Sequence, residues 1–250
     1  MRPRRAIPLA LGLLLAGCAV PRPDPIAVAD PETIQLMAET VATLRVGQGD
    51  CAATGAAVHL GRGDFITASH VVDGTQPMMR GCLDEAGGTV VSFQGRDVPA
   101  VIAHTGFAAF EPGLGLRYLG GQDIALLHRP VLGDAPPAAP LCATGPVPGQ
   151  WVLVVTPLRV TASRVLGEMR EATPAYGGYV ELGMRLEPGE SGGGVFDAVG
   201  HCLLGLVAHR EDVGGRERTR IVEVTALRRF MTDSLMTGPD GPLLARAPHR

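Results

Sequence analysis

Short apolar runs, rich in Val, Thr, Ile and Leu and separated by glycine-bearing turns, constrain the fold of this chain more than any other feature. In the first half the runs occupy residues 41–46, 53–60, 65–67, 89–93, 98–104 and 124–128. In the second half they occupy residues 151–156, 165–171, 179–184, 194–196, 202–208 and 220–224. Such spacing predicts an all-β chain built from antiparallel barrels or sandwiches.

A proline-rich interruption divides these runs into two β units. Residues 129–140, with the sequence RPVLGDAPPAAP, show no apolar periodicity, so they are predicted to be an exposed link between units at 41–128 and 141–236. After Thr225, a candidate cap, apolar residues recur at helical spacing and predict one C-terminal helix. The last residues, 237–250, have no core pattern and are predicted to form a flexible tail.

The first 40 residues are predicted to direct export and then to tether the domain. Residues 1–17 combine a basic start with an apolar run at 7–16 that is too short to span a bilayer, as in a signal peptide. The run ends in LAGC, which resembles the lipobox of bacterial lipoproteins and implies a lipid on Cys18. An ordinary secretory signal is the alternative. Prolines then make residues 18–40 a stiff tether, with Asp30 as a candidate cap of a short helix beginning at Pro31.

Export changes how the remaining cysteines are interpreted, because an oxidising compartment permits disulfide bonds. The four candidates are Cys51, Cys82, Cys142 and Cys202, which allow three pairings. None of them has the close spacing of a zinc ribbon or a redox motif, so no metal site is expected.

Charge excludes several classes of function. The formal net charge of −3 becomes about −6 once the three arginines of the signal are removed, so no electrostatic footprint for nucleic acid is expected. The chain contains no Lys. That absence excludes a Ser/Lys dyad, a Schiff-base lysine and a P-loop lysine.

Three segments carry the residue types of an acyl-transfer triad, in the order His, Asp, Ser. His70 lies in TASHVV at the end of an apolar run, Asp123 precedes the apolar IALL, and Ser191 lies in PGESGGG. A serine needs a neutral imidazole to take its proton, and the imidazole needs a carboxylate to fix its tautomer. The glycines around Ser191 let the backbone turn tightly, so the amides of Gly189 and Ser191 are candidates for an oxyanion hole.

These blocks resemble the signatures of the trypsin-like (chymotrypsin-fold) serine peptidases, especially the bacterial members, over roughly residues 41–235. The resemblance implies two antiparallel six-stranded β-barrels with the site between them and a C-terminal helix. It also implies a serine endopeptidase that works through an acyl-enzyme on peptide or protein substrates, without metal or organic cofactor. With the lipobox, it predicts a lipoprotein anchored to a bacterial membrane and facing the periplasm.

The chain departs from the animal members of that family next to the nucleophile. There, a freed N-terminus pairs with an Asp, whereas this chain has Glu190 and no activation site before the first strand. Activation by cleavage is therefore not expected, and Glu190 needs another partner. The family bridge beside the catalytic His would need a Cys at Val71. Cys142 with Cys202 resembles another family bridge, which leaves Cys51 with Cys82.

Only a few residues suggest a substrate preference. The residue six positions before the serine often forms the floor of the specificity pocket in this family, and here it is Arg185, with His209 and Arg210 following the strand that would line the wall. A cationic pocket would favour an acidic P1 residue, the residue whose carbonyl is attacked. Alternatively, Arg185 points to solvent.

Two other functions remain open. GESGG matches the G-x-S-x-G elbow of α/β-hydrolases and would indicate an esterase, but the elbow needs a helix directly after the serine and its Asp and His downstream. The second alternative is a lipoprotein that keeps the peptidase fold as a non-catalytic module for binding a peptide or partner. A complete set of triad residues argues against it.

Overall fold

The structure, a computed structural model, describes residues 30–73, 88–111, 115–130, 137–168, 178–212 and 215–237. It confirms the predicted fold class. About half of the described residues form strands, and twelve of the fourteen strands close into two six-stranded antiparallel β-barrels, which are followed by a helix. The predicted signal peptide, Cys18 and the tail after residue 237 lie outside the described residues.

The first barrel contains the strands from the first half of the chain. They are β1 (Val41–Val46), β2 (Ala53–Gly61), β3 (Asp64–Thr67), β4 (Thr89–Phe93), β5 (Arg96–Thr105) and β8 (Ala125–His128), and they pair around the barrel in the order β1-β2-β3-β8-β5-β4. The burial of β1 alternates, as expected where one strand face meets a core. Leu44, Phe65, Val91 and Leu127 fill the interior and are fully buried.

A hairpin projects from the first barrel between β5 and β8. Its strands, β6 (Ala108–Glu111) and β7 (Gly115–Tyr118), pair only with each other. The sequence did not predict this hairpin.

The second barrel repeats this architecture. Its strands are β9 (Trp151–Val155), β10 (Val160–Glu168), β11 (Tyr179–Leu182), β12 (Gly194–Asp197), β13 (Leu203–Asp212) and β14 (Glu217–Glu223), paired in the order β10-β11-β14-β13-β12-β9. Val152, Leu182, Val195 and Ile221 lie in its core and are fully buried.

The two barrels share one apolar cluster at their junction. Val58 and Ile66 from the first barrel belong to the same buried cluster as Leu153, Phe196 and Leu206 from the second. Burial of this surface fixes the barrels against each other, since burying apolar area contributes roughly 25 cal/mol per Å². Loops at the junction are therefore held in a defined position.

Three α-helices accompany the strands in the described residues. Helix α1 (Pro31–Ala38) begins after Asp30, whose carboxylate accepts a hydrogen bond from the Thr33 amide at 3.3 Å, so Asp30 caps it. This helix lies within the segment predicted as a tether, yet its Met37 is buried in the junction cluster. Helix α2 (Ser69–Val72) is a single turn.

The predicted C-terminal helix is present as α3 (Val224–Thr237), which follows β14 directly. Thr225 is not its cap, because the helix already includes Val224, and the Thr225 hydroxyl bonds to the Glu223 carboxylate instead. Within the described part of the chain, no helix has the length and apolar character needed to cross a membrane.

One predicted disulfide is present in the second barrel. Cys142 and Cys202 are bonded across 60 positions of sequence. By the chain-entropy model, closing a loop of that length stabilises the folded state by about 4 kcal/mol. Cys51 is also disulfide-bonded, but Cys82 lies outside the described residues, so the pairing of these two stays a prediction.

Candidate active site

His70 lies in helix α2, directly after β3 of the first barrel. We expected it at a strand end, and the structure places it in the single helical turn that follows that strand. Its neighbours Ser69 and Val71 are buried, which anchors the turn, while the His70 side chain retains 19% of its exposure. The imidazole therefore lies at the surface of a well-packed segment.

Asp123 holds His70 by two hydrogen bonds. The His70 amide donates to Oδ1 of Asp123 at 3.0 Å, and Nδ1 of the imidazole lies 2.8 Å from Oδ2. Asp123 is 1% exposed and precedes the fully buried Ile124 and strand β8. With Nδ1 engaged by the carboxylate, Nε2 is the nitrogen that remains to accept a proton.

The charges of this pair shift both pKa values. Burial lowers the pKa of His70, but the charge of Asp123, its hydrogen bond and the nearby charge of Asp73 outweigh burial, so the pKa of His70 lies above its ordinary value of 6.5. Burial raises the pKa of Asp123, but the charge of His70 and the two hydrogen bonds outweigh it and hold the pKa of Asp123 below its ordinary value. Asp123 is therefore ionised at neutral pH.

Ser191 comes next to the His70 segment across strand β2. The Ala56 amide donates to the Ser191 carbonyl at 2.7 Å. A Cβ built on Gly55 would lie 2.7 Å from Cγ1 of Val71 and 3.0 Å from the Ser191 carbonyl oxygen, so both segments contact the same glycine. Val71 is the position where the resemblance would require a cysteine, and here it packs against bare backbone instead.

Gly192 is required by the close approach of the nucleophile loop to the first barrel. A Cβ at this residue would lie 2.0 Å from the Ala56 carbonyl oxygen and 2.3 Å from Oγ1 of Thr67, and its φ is +85°. Both the available space and the backbone angle exclude other side chains. The glycines after Ser191 therefore join the two barrels at the site.

The backbone of this loop has two amides without a hydrogen-bond acceptor among the described residues. The amides of Glu190, Gly192 and Gly193 donate to the carbonyls of Glu187, Val207 and Glu190, respectively. Among the described residues, no acceptor bonds to the amide of Gly189 or Ser191. These are the two amides predicted for an oxyanion hole, and Gly189 adopts a left-handed φ of +91°.

Glu190 has the partner that the sequence did not identify. Nε of Arg159 lies 2.7 Å from Oε1 of Glu190, and Nη2 lies 2.9 Å from Oε2. The Glu187 amide donates to Oε2 at 2.7 Å, and the Thr156 hydroxyl donates to Oε1 at 3.2 Å. Glu190 is 0% exposed, so all of its charge is balanced within the fold.

The pKa values of the Arg159–Glu190 pair agree with this geometry. Burial raises the pKa of Glu190, but the Arg159 hydrogen bonds, the Glu187 amide and the Arg159 charge outweigh it and hold the pKa below its ordinary value. The hydrogen bond to Glu190 raises the pKa of Arg159. Arg159 lies in the turn between β9 and β10, and its Nη2 also donates to the Arg185 carbonyl at 2.9 Å.

The two residues predicted for a specificity pocket lie in different surroundings. Arg185 is 60% exposed, and its Nε lies 3.2 Å from a Glu187 carboxylate oxygen and 3.3 Å from one of Glu217. His209 is partly buried, with its ring 5.2 Å from the ring of Tyr179 in an edge-to-face contact. Its charge also contributes to the lowered pKa of Asp123, so it lies near the His70–Asp123 pair.

No group of three or more His, Cys, Asp or Glu side chains within the described residues could hold a metal ion.

Comparison with known sequences identifies one family. A family model described as "Trypsin-like peptidase domain" matches residues 53–206, which is more than half of the chain. No curated protein matches the sequence significantly.

The solved structures with a similar fold include proteases. The active form of the Rv3671c protease from M. tuberculosis is 17% identical, with a TM-score of 0.61, and the alignment covers 96% of this chain and 96% of that one. An inactive serine-to-alanine mutant of Rv3671c is 18% identical with a TM-score of 0.61, covering 89% of this chain and 98% of that chain. A serine-to-alanine variant of the HtrA-type protease AlgW with a tripeptide is 19% identical with a TM-score of 0.60, covering 80% and 62%. At such identities the likeness shows a shared fold.

Proposed function

The chain belongs to the family of trypsin-like peptidase domains, and on that premise we propose that it is a serine endopeptidase. The proposed triad is Ser191, His70 and Asp123, with the amides of Gly189 and Ser191 as the oxyanion hole. The observation that carries the proposal is the pair of hydrogen bonds from His70 to the buried Asp123, at 3.0 and 2.8 Å. That contact orients an imidazole in the manner that nucleophile activation requires.

The proposed reaction has two halves. Nε2 of His70 takes the proton of the Ser191 hydroxyl as its oxygen attacks the substrate carbonyl, and the same proton then passes to the leaving amine as the peptide bond breaks. Water, deprotonated by His70, next attacks the acyl-enzyme and releases the acid product, and the proton returns to Ser191. Asp123 stays ionised throughout and stabilises the imidazolium.

Arg159 supplies the support that the nucleophile loop needs. The bidentate contact holds Glu190, the residue between the two proposed oxyanion amides, in place. We therefore infer that an internal arginine orders the nucleophile loop, as a freed N-terminus does in the animal peptidases. Each oxyanion donor is worth about 2.7–4 kcal/mol of transition-state stabilisation in such sites. Because Arg159 is part of the uncleaved chain, ordering of the nucleophile loop requires no activating cleavage.

A non-catalytic binding module is the alternative that peptidase assays distinguish most directly. The test is digestion of a fluorescein-labelled unfolded protein by the wild type and by Asp123→Asn, with an ester substrate assayed beside it. We expect cleavage of internal peptide bonds by the wild type and a loss of about 10⁴-fold in Asp123→Asn. If the wild type binds the labelled protein without cleaving it, the non-catalytic binding module is favoured. If it hydrolyses only the ester, an esterase is favoured.

The location of this activity remains part of the proposal. The signal at 1–17 and the LAGC segment support export and lipid attachment at Cys18, with the tether holding the peptidase domain near a bacterial membrane. Substrates are then peptides or proteins that reach the periplasmic face. Cys51 and Cys82 are proposed as the second bridge of an exported protein.

A further inference from the structure

Strand β13 forms one wall of the surface beside Ser191. Its Val207 exchanges hydrogen bonds with the nucleophile loop, since Gly192 N donates to Val207 O at 2.7 Å and Val207 N donates to Gly193 O at 2.9 Å. The strand continues through His209 and Arg210. A substrate whose carbonyl is attacked by Ser191 would therefore place its P1 side chain beside residues 207–210.

The segment that leads into the nucleophile loop, residues 184–187, forms the opposite wall. Nη1 of Arg210 reaches the Leu186 carbonyl at 3.5 Å, which links the two walls at their mouth. Leu186 is itself 5% exposed. This contact bridges, at the surface, the space between the two segments, which we call the recess.

Thr219 closes this recess from behind. In the sheet it pairs with Arg210 of β13 on one side and with Leu182 of β11 on the other. Its hydroxyl crosses to the opposite wall and donates to the Met184 carbonyl at 3.0 Å, and the residue is 0% exposed. Its side chain therefore occupies the depth into which a long substrate side chain would have to extend.

The charges at the mouth of the recess cancel one another. Arg185 pairs with Glu187 and Glu217, and Arg210 pairs with the same Glu217 at 3.6 Å. All four side chains are exposed by more than a third, so solvent screens what remains of their field. These two arginines and two glutamates together contribute no net charge at the mouth.

We propose that the recess between residues 184–187 and 207–210 accepts a small, uncharged P1 side chain, such as that of Ala, and that Thr219 sets the size limit. This inference rests on the serine endopeptidase function proposed above. It differs from the acidic preference suggested by Arg185 alone, because the carboxylates of Glu187 and Glu217 already engage that guanidinium. Large P1 side chains are excluded sterically by Thr219 at the base of the recess. Charged P1 side chains are disfavoured because the side chains at its mouth offer them no net charge.

Peptidyl diphenyl phosphonates that differ only at P1, as Ala, Phe and Glu, test this directly through their rates of labelling Ser191. We expect the Ala probe to react at least about 10-fold faster than either other probe, a ratio of the size that one methylene can produce in an apolar pocket. Thr219→Gly should raise the rate of the Phe probe relative to the Ala probe. Thr219→Ser, which keeps the hydroxyl, is the matched control and should shift the ratio less.

Three outcomes would overturn the inference: a fastest reaction with the Glu probe that is lost in Arg185→Ala, equal rates with all probes, or an Ala-to-Phe ratio unchanged in Thr219→Gly of normal thermal stability. A small fluorophosphonate without a P1 side chain separates these results from failure of the proposed function. Labelling by it with no order among the peptidyl probes overturns the size limit alone. No labelling of Ser191 by any probe overturns the endopeptidase proposal and the size limit with it.

Discussion

The guanidinium of Arg159 donates two hydrogen bonds, of 2.7 and 2.9 Å, to the fully buried carboxylate of Glu190. Glu190 directly precedes the proposed nucleophile, Ser191. Glu190 also accepts the Glu187 amide, so the loop that carries both oxyanion amides is tied to the β9–β10 turn. The Arg159–Glu190 contact therefore links the stability of the loop to the placement of the two proposed oxyanion amides.

Replacing Arg159 with Ala should impair both catalysis and stability. Loss of the oxyanion geometry is expected to lower kcat by about 10²–10³-fold with a smaller change in KM. Leaving a buried carboxylate without its cation costs about 3–5 kcal/mol in fully buried pairs. Because Arg159 is 40% exposed, we expect about 3 kcal/mol or less in the free energy of unfolding.

The control for this variant is Arg164→Ala, on the strand β10 that begins directly after Arg159; its guanidinium lies 4.4 Å from the Trp151 ring centre rather than on Glu190. Its kcat should stay within about threefold of wild type.

The pKa of Glu190 is lowered in the folded protein, so its pair with Arg159 contributes stability above the unfolded pKa, and this contribution is lost on acidification. The difference in unfolding free energy between wild type and Arg159→Ala should therefore shrink as pH falls. A constant difference would mean that Glu190 does not carry the effect.

Activity should increase with pH through a midpoint above 6.5. The proposed base must be neutral, and the pKa of His70 is raised above 6.5 because the charges of Asp123 and Asp73 outweigh the effect of burial. Asp73→Asn removes one of those charges, so we expect the midpoint of kcat/KM against pH to move down. Asp97→Asn, whose carboxylate pairs with Arg45 and Ser92, is the control and should leave it in place. A midpoint that rises in Asp73→Asn would contradict the assignment of His70 as base.

Adding a methyl group at Gly192 should disrupt the site far more than adding one at Gly149. Both residues have a left-handed φ, of +85° and +82°, so the backbone strain of an Ala is matched. Only at Gly192 would the Cβ collide with the Ala56 carbonyl and Thr67, whereas nothing lies within 4 Å of a Cβ at Gly149. We expect Gly149→Ala to cost about 1 kcal/mol and Gly192→Ala several times more in denaturant unfolding, with loss of activity. Equal costs would show that the close approach does not constrain the nucleophile loop.

Much of the fold was predictable because each barrel strand has its own apolar signal. The runs at 41–46 and 89–93 coincide with β1 and β4. Strand β10 begins at Val160, five residues earlier than predicted, because Thr161, Ser163 and Arg164 hide the apolar alternation. Pairing with β9 fixes that part of the strand, and such pairing is a tertiary effect.

The site was predictable only in part. Flanking apolar strands and glycines indicated the positions of His70, Asp123 and Ser191, since these flanks are local in sequence. Arg159 was missed because it lies 31 residues from Glu190 and meets it only through the β9–β10 turn. The one signal was the need of a buried Glu190 for a cation, and with arginine as the chain's only strongly basic residue type, that need did not distinguish one arginine from another.

Covalent labelling by a fluorophosphonate tests whether Ser191 is a nucleophile activated by His70. The experiment compares wild type, Ser191→Ala, His70→Ala and Ser92→Ala, a serine on the partly buried face of β4, with the adduct located by peptide mass spectrometry. We expect labelling of wild type and Ser92→Ala on Ser191, none of Ser191→Ala, and a rate at least about 10²-fold lower in His70→Ala. Equal labelling of wild type and Ser191→Ala would contradict the assignment of Ser191 as the nucleophile.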